Sequence, residues 1–312
     1  MKIIQAPSST TELTGWIGDN MDAVKQDISE TGLVLFRGFD TRDAATLKKT
    51  LALFDAEPMM DARWSSPRSS VGEGAFTSTE FPADQWIVLH SEMSYARTWP
   101  RLLMFQCTDA ADTGGATTIA DMKEVSDALG ADLVEEFHER EVIYRRNFRT
   151  GVDIPWQHAF GTEDKDEVAV LAEKNGLEID WQADGTLKVD QQAQGAIDSP
   201  VGTLWFNQAH LFHPLQLPEA TRQALVAAFG EDGLPRTAVF GDGEPIPDAA
   251  IKRILQVLEE KTRNIDWQNG DLSIIDNMRW MHGRAPFTGS RRVLAAMGQP
   301  QTVTEQTPLF AA

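Results

Sequence analysis

The 312-residue sequence predicts a β-rich α+β fold, a sheet core carrying helical insertions with further helices packed outside. Three observations carry this reading. Strand-like runs lie near both ends of the chain: "LVLFRGF" at 33–39, then "DLSIIDN" at 271–277 and "RRVLAAMG" at 291–298. Between 85 and 121 strands dominate, as "QWIVLHSE", "RLLMFQCT" and "ATTIAD", punctuated by Trp-Pro and Gly-Gly. No linker rich in Pro, Gly or Ser divides the chain, so strands from both ends must meet in a shared sheet, and 1–312 reads as a single domain.

The other elements come in order. "STTELTGWIGDNMDAVKQDISETG" reads as one helix, capped by a Ser or Thr acceptor and stopped by Gly32. "TRDAATLKKTLALFDAE" has the apolar spacing of an amphipathic helix. "EVIYRRNF" is strand-like, "EDKDEVAVLAEKNG" a helix with a glycine stop, and "LEIDWQADGTLKVD" a hairpin around Asp-Gly. "GTLWFNQ" reads as another strand. "PEATRQALVAAFGEDG" and "PDAAIKRILQVLEEKTRN" are helices, the second with proline in its first turn.

Composition narrows the function. With 47 acidic and 28 basic residues the formal charge is −19, a field that repels phosphate backbones and anionic lipid, so neither nucleic acid nor a membrane is expected as partner. The single cysteine, Cys107, excludes an internal disulfide and a cysteine-based zinc cage. Within the apolar run "LLMFQC" it reads as a small buried residue rather than a nucleophile. The N-terminal "MKIIQAPSSTTELTGW" lacks the hydrophobic centre of a secretion signal, and no run has the length of a membrane span, so a cytoplasmic location is expected.

The stretch "VLHSEMSYARTWP" holds His90 and Glu92, two apart in a strand-like run, where alternation would turn both to one face. Alone, such a pair is more often a structural hydrogen bond. A 2-His-1-carboxylate facial triad requires a second histidine from a distant segment. His138 belongs to a charged helix, and His158 comes after "PWQ" in a loop. His210 and His213 in "NQAHLFHP" form an H-x-x-H pair and are rivals, whereas His282 in "DNMRWMHGRAPFTGSRRVL" lies just past a strand.

The residues downstream of His282 favour it. Arg291 and Arg292 lead the next strand, and a guanidinium forks onto a carboxylate through two parallel hydrogen bonds. Such an arginine can anchor the far end of a dicarboxylate cosubstrate whose near end chelates the metal. The plainer alternative is a surface arginine pair ending a turn. In "DTGGATTIAD" two glycines permit a tight turn, after which the hydroxyl of Thr117 or Thr118 can reach the same carboxylate.

The order of these parts resembles the taurine dioxygenase-like (TauD/TfdA) family of Fe(II)- and 2-oxoglutarate-dependent oxygenases, whose fold is that of clavaminate synthase. The likeness runs through "GLVLFRGF", "TSTEFPADQWIVLHSEMSYARTWP", "GGATTIADM", "WFNQAHLFHP" and "GDLSIIDNMRWMHGRAPFTGSRR". Its most specific parts are "HSEMSYARTWP" and "DNMRWMHGRAPFTGSRR". Within the family the chain is most similar to the branch with glutamate in the triad, which includes the syringomycin-pathway aspartyl hydroxylase type.

The resemblance implies a double-stranded β-helix, or jelly roll. It implies His90, Glu92 and His282 as iron ligands, and Thr117 and Arg292 as the holders of the 2-oxoglutarate C5 carboxylate. Alternation lets only one of Arg291 and Arg292 face that site. Taurine dioxygenases carry a second, sulfonate-binding arginine four residues further on; Ala296 stands there, so a sulfonate substrate is not expected.

The implied reaction consumes O₂ and 2-oxoglutarate, releases succinate and CO₂, and hydroxylates an unactivated C–H bond. Desaturation and ring formation are alternatives, and Glu92 in the acid position argues against halogenation. The implied substrate is an amino acid or a derivative of one, free or tethered to a carrier protein in natural-product metabolism. An acidic carrier does not suit a chain of charge −19 without a local basic patch. Candidate substrate contacts are Arg146 in "YRRNF" and Asn207 in "WFNQ", although a hydrogen-bonded structural loop explains the latter equally well. The rival classes are a zinc hydrolase or a non-catalytic metal-binding module using His210 and His213. Homo-oligomerisation is left open.

Overall fold

A computed structural model of the chain describes residues 1–43, 45–59, 70–72, 75–77, 81–306 and 309–310. Positions 78–80 of the family-like stretch "TSTEFPADQW" lie outside the described residues. Strands from the two ends of the chain do meet. A seven-stranded sheet runs in the order Lys2–Gln5, Leu33–Arg37, Leu272–Asp276, Thr98–Asp109, Arg292–Thr302, Ala75–Thr77, Ser70–Gly72. Its first pair is parallel and the rest antiparallel. A second, four-stranded sheet has the order Arg263–Ile265, Thr117–Asp121, Trp280–Arg284, Ile87–His90.

Side-chain alternation explains how the layers close. Leu33, Leu35, Leu103 and Phe105 leave one face of the large sheet and pack against Ile119, Ile265 and Trp280 on the small one. Val34, Phe36, Met104 and Ile274 leave the other face and are covered by Leu13, Ile17, Ile28 and Leu51 from helices. Each such side chain contributes about 1.5–3 kcal/mol when fully buried. A third sheet, ordered Leu177–Trp181, Leu187–Ala193, Val142–Phe148, Arg236–Phe240, carries Arg146.

The hairpin around Asp-Gly forms as expected, with Gly185 at φ 85° between paired strands. The helix expected across 9–32 is instead two, Leu13–Asp19 and Met21–Thr31, broken at Asn20. Its cap is neither Ser nor Thr. The Glu12 carboxylate accepts from the backbone N–H groups of Thr14 and Gly15. Gly32 does end the second helix, at φ 69°, where a Cβ would lie 2.4 Å from Arg279 Cδ. The strand expected from "GTLWFNQ" shortens to Leu204–Trp205. No helix among the described residues is long and apolar enough to cross a membrane.

Candidate active site

Strand register brings the two histidines together. Ile87–His90 runs antiparallel to Trp280–Arg284 with His90 opposite His282, and the ring centroids are 4.5 Å apart. His282 thus lies within a strand, not past one. Gly283 beside it is required by close approach, since a Cβ there would be 2.4 Å from the Ile87 carbonyl oxygen and 2.6 Å from Thr118 Oγ1.

Glu92 arrives by a different route from the one alternation suggests. The strand ends at His90, and Glu92 belongs to the adjoining turn, next to Met93 at φ 56°. Its Oε2 is 3.5 Å from His282 Nε2. One ligand atom from each of His90, Glu92 and His282 lies within 4.8 Å of the others. Among the described residues no other group of three His, Cys, Asp or Glu side chains converges in this way. His90 Nδ1 donates to the Val88 carbonyl at 2.9 Å, which makes Nε2 the basic nitrogen. Asn277 holds Glu92 at both backbone groups: its Oδ1 accepts from the Glu92 N–H at 2.7 Å, and its Nδ2 donates to the Glu92 carbonyl at 2.9 Å.

The rival histidines do other work. His210 is fully buried and its Nε2–H donates to the Leu89 carbonyl at 2.8 Å. Burial pushes this imidazole down to about 4, so it is neutral at physiological pH. His213 contacts the Ile246 carbonyl through Nε2 at 3.2 Å and accepts from the Leu215 N–H through Nδ1. Neither ring joins the cluster. Asn207 is also committed to backbone, donating to the Gly195 carbonyl at 2.6 Å and accepting from the Ala209 N–H at 2.9 Å. The expectation that Asn207 contacts substrate is therefore replaced by the loop reading. A buried backbone needs these partners.

A cavity opens beside the histidines, walled by Ile87, Phe105, Thr117, Arg291 and Val293. The arginine here is Arg291, not Arg292. Residues 291, 293 and 295 alternate into the cavity, whereas Arg292 and Leu294 line a surface groove with Asp40 and Arg42 on the opposite face. Arg291 Nε donates to the Gly115 carbonyl at 2.8 Å. Burial, and then the nearby Arg284, bring it down to about 10, which leaves it charged at neutral pH. The position four residues after the cavity arginine is consequently Ala295, still an alanine, while Ala296 packs under the helices.

Thr117 faces the cavity, and Thr118 lines a separate groove with Trp86 and Leu258. The indole Nε1–H of Trp267 donates to Thr117 Oγ1 at 2.9 Å. Sequence reasoning passed over Trp267, because a lone aromatic in a loop carries no periodicity or spacing.

Arg146 is buried in a second pocket, among Tyr95, Tyr144, Phe148, Phe160 and Phe212. Its Nη2 pairs with Asp153 at 2.9 Å, and Asp153 also accepts from Arg236. Burial alone would raise the Asp153 carboxyl, but Arg236 and Arg146 outweigh it and hold it at about 2. Arg145 turns to the other face and pairs with Asp190 at 2.7 Å. Cys107 is a buried thiol, pushed up to about 11 by desolvation, as a structural cysteine should be.

Comparison with known proteins identifies the family. The profile of the "Taurine catabolism dioxygenase TauD, TfdA family" matches residues 5–297. This chain belongs to the TauD/TfdA family. As a family member it is a dioxygenase that uses Fe(II) and 2-oxoglutarate. It is 37% identical over 279 residues to the dapdiamide synthesis protein DdaC of Enterobacter agglomerans, covering 89% of this chain and 85% of that one. A clavaminate synthase-like protein of Arabidopsis thaliana is 32% identical over 287 residues, with 86% and 82% covered.

Solved structures of similar fold include PvcB of Pseudomonas aeruginosa, with TM-score 0.53, 15% identity, and 95% of this chain and 84% of that chain covered. An asparagine oxygenase bound to Fe(II), 3-hydroxyasparagine and succinate has TM-score 0.55 and 12% identity, with 91% and 79% covered. The mixed α/β architecture of this TauD/TfdA member is thus one it shares with iron oxygenases.

Proposed function

We propose that this TauD/TfdA member hydroxylates an unactivated C–H bond of an amino acid or amino-acid derivative. In this reading His90, Glu92 and His282 hold Fe(II), and Thr117 with Arg291 holds the distal carboxylate of 2-oxoglutarate. The observation that carries it is the convergence of three buried or half-buried ligand side chains beside a cavity that also contains an arginine and a threonine. Two imidazoles and one carboxylate are the donor set of non-haem Fe(II) oxygenases, and they leave positions open for cosubstrate and O₂. The residues therefore fit the metal.

When bound, iron and 2-oxoglutarate together supply the oxidising power, with succinate and CO₂ as coproducts. The chain supplies geometry. Arg291 offers a charged fork, with its Nε already fixed to Gly115, and Thr117 offers a hydroxyl whose oxygen is engaged by Trp267. Phe105 and Val293 add apolar surface to the cavity wall, the Phe105 ring lying 5.2 Å from that of His282. Glu92 occupies the carboxylate position, which favours hydroxylation over halogenation.

The facing sheets and the shared overall fold support a double-stranded β-helix in a single domain spanning 1–312. The aromatic pocket around Arg146 is the candidate site for a substrate carboxylate, and Ala295 offers nothing to a sulfonate. An amino-acid-derived substrate agrees with the names of DdaC and of the asparagine oxygenase. The charge of −19 favours a free substrate over one presented by an acidic carrier protein.

The test is anaerobic addition of Fe(II) and 2-oxoglutarate to metal-free protein, watching for the visible charge-transfer band of the chelate. The band should vanish in His282→Ala and need far more 2-oxoglutarate in Arg291→Ala. Succinate release then screens amino acids and their derivatives as substrates. Iron bound without any band would overturn the cosubstrate site.

A further inference from the structure

The metal-bearing segment is the last strand of its sheet among the described residues, so a ladder reaches it from one side only. Past His90 it has no strand partner among those residues, yet Ser91, Glu92 and Ser94 are all buried, as is Leu89 on the strand just before it. Side chains from remote parts of the chain meet their backbone groups, and the Ser91 carbonyl also accepts locally from the Ser94 N–H at 3.3 Å and the Ser94 hydroxyl at 3.0 Å. His210 Nε2 donates to the Leu89 carbonyl at 2.8 Å, and Gln208 Nε2 to the Ser91 carbonyl at 2.7 Å. Asn277 brackets Glu92, and Gln194 Nε2 donates to the Ser94 carbonyl at 2.8 Å. The carbonyl gripped by His210 is in the peptide that leads into His90, and the one gripped by Gln208 is in the peptide that leads from Ser91 into Glu92.

Gln208 and His210 are themselves held. The Gln208 N–H donates to Tyr144 Oη at 2.8 Å, Asn207 accepts from the Ala209 N–H, and the His210 ring packs 5.3 Å from Trp205. A turn with a residue at positive φ is thereby tied to the packed core rather than to a neighbouring strand.

We propose that His210 and Gln208 are positioning residues of the metal centre. Through the Leu89 carbonyl, just before His90, and the Ser91 carbonyl, just before Glu92, they set the direction of the imidazole and the approach of Glu92, though neither touches metal or substrate. The inference rests on the metal assignment made above. It gives the "NQAH" motif a role that a pocket lining or a second metal site does not.

The test compares His210→Phe and Gln208→Met, which keep volume and lose the donor, with His210→Gln, which returns an N–H near the Nε2 position. Asn147→Ala serves as control, since it removes side-chain bonds from the third sheet to the carbonyls of Asp232 and Leu234 in the adjoining turn. The readouts are Fe(II) affinity, the position of the anaerobic charge-transfer band, and the thermal midpoint of the metal-free chain.

Both donor-less variants should bind Fe(II) about 10-fold more weakly or worse and shift the band. His210→Gln should recover most of that loss, and Asn147→Ala should lower the midpoint without moving either metal readout. If His210→Phe does not fold, Gln208→Met decides. Unchanged affinity and band in the donor-less variants would overturn the proposal, as would His210→Gln behaving like His210→Phe. An unaltered protein that binds no Fe(II) would overturn the metal assignment and this inference together.

Discussion

The Trp267 indole N–H points at Thr117 Oγ1 across 2.9 Å, from a loop 150 residues away in sequence. An indole can only donate, so the threonine oxygen must accept, and its own O–H is left to donate. Thr117 lines the cavity that contains Arg291, so a carboxylate there meets a hydroxyl oriented to receive it. Trp267→Phe should therefore raise the Km for 2-oxoglutarate by about 3–10-fold, the worth of roughly one net hydrogen bond, with kcat little changed. Steady-state kinetics at saturating substrate checks this; an unchanged Km would detach Trp267 from the site.

The neighbouring arginines should behave oppositely. Arg291→Ala removes a half-buried charged fork from the cavity and should weaken 2-oxoglutarate binding about 10–100-fold. Arg292→Ala changes an exposed side chain on the other face and should leave that binding unaltered. Titrating each variant through the anaerobic absorption band separates them.

Gly115 has φ 70°, and a Cβ there would meet Ala111 Cβ at 2.9 Å and Arg291 Cδ at 3.1 Å. Gly115→Ala should cost about 1–2 kcal/mol of backbone strain and push the guanidinium out of line. A lower thermal midpoint together with a raised Km for 2-oxoglutarate is expected. A lower midpoint with normal Km would mean that Arg291 tolerates the shift.

His210 predicts a pH dependence. Its folded value is about 4 against an ordinary 6.5, so between those values the unfolded chain binds the proton and the folded chain does not. Stability must then be full above pH 6.5 and fall as pH drops toward 4, by about 2 kcal/mol between pH 7 and pH 5. Denaturant unfolding of the metal-free protein at the two pH values, compared with His210→Gln, isolates this contribution. An equal pH response in both would show that the histidine is not held neutral.

Much of the fold was readable because the determinants are local. The strands near both ends, the Asp-Gly hairpin and the glycine stop at Gly32 come from apolar runs and turn residues that act within a few positions. The segment 13–31 misled because its apolar periodicity runs on through Asn20, whereas the backbone breaks there and the first of the two helices takes its cap from Glu12. His90, Glu92 and His282, which the structure brings together, stood out as candidates in the sequence, yet the route by which Glu92 reaches the histidines did not, since a strand's end depends on what it pairs with.

The sequence by itself determined which residue types and which local elements were available: two histidines and an acid, an arginine pair after a glycine-bounded turn, and strands to carry them. Only the tertiary structure decided which arginine faces inward, that Trp267 engages Thr117, and that Asn207, Gln208 and His210 grip backbone instead of lining a pocket. The physical reason is that a side chain's direction depends on register and on which buried carbonyls lack partners. For Trp267, Gln208 and His210 the partners are more than a hundred residues away, and for Asn207 they lie within its own loop; in neither case does the spacing of the segment alone reveal them.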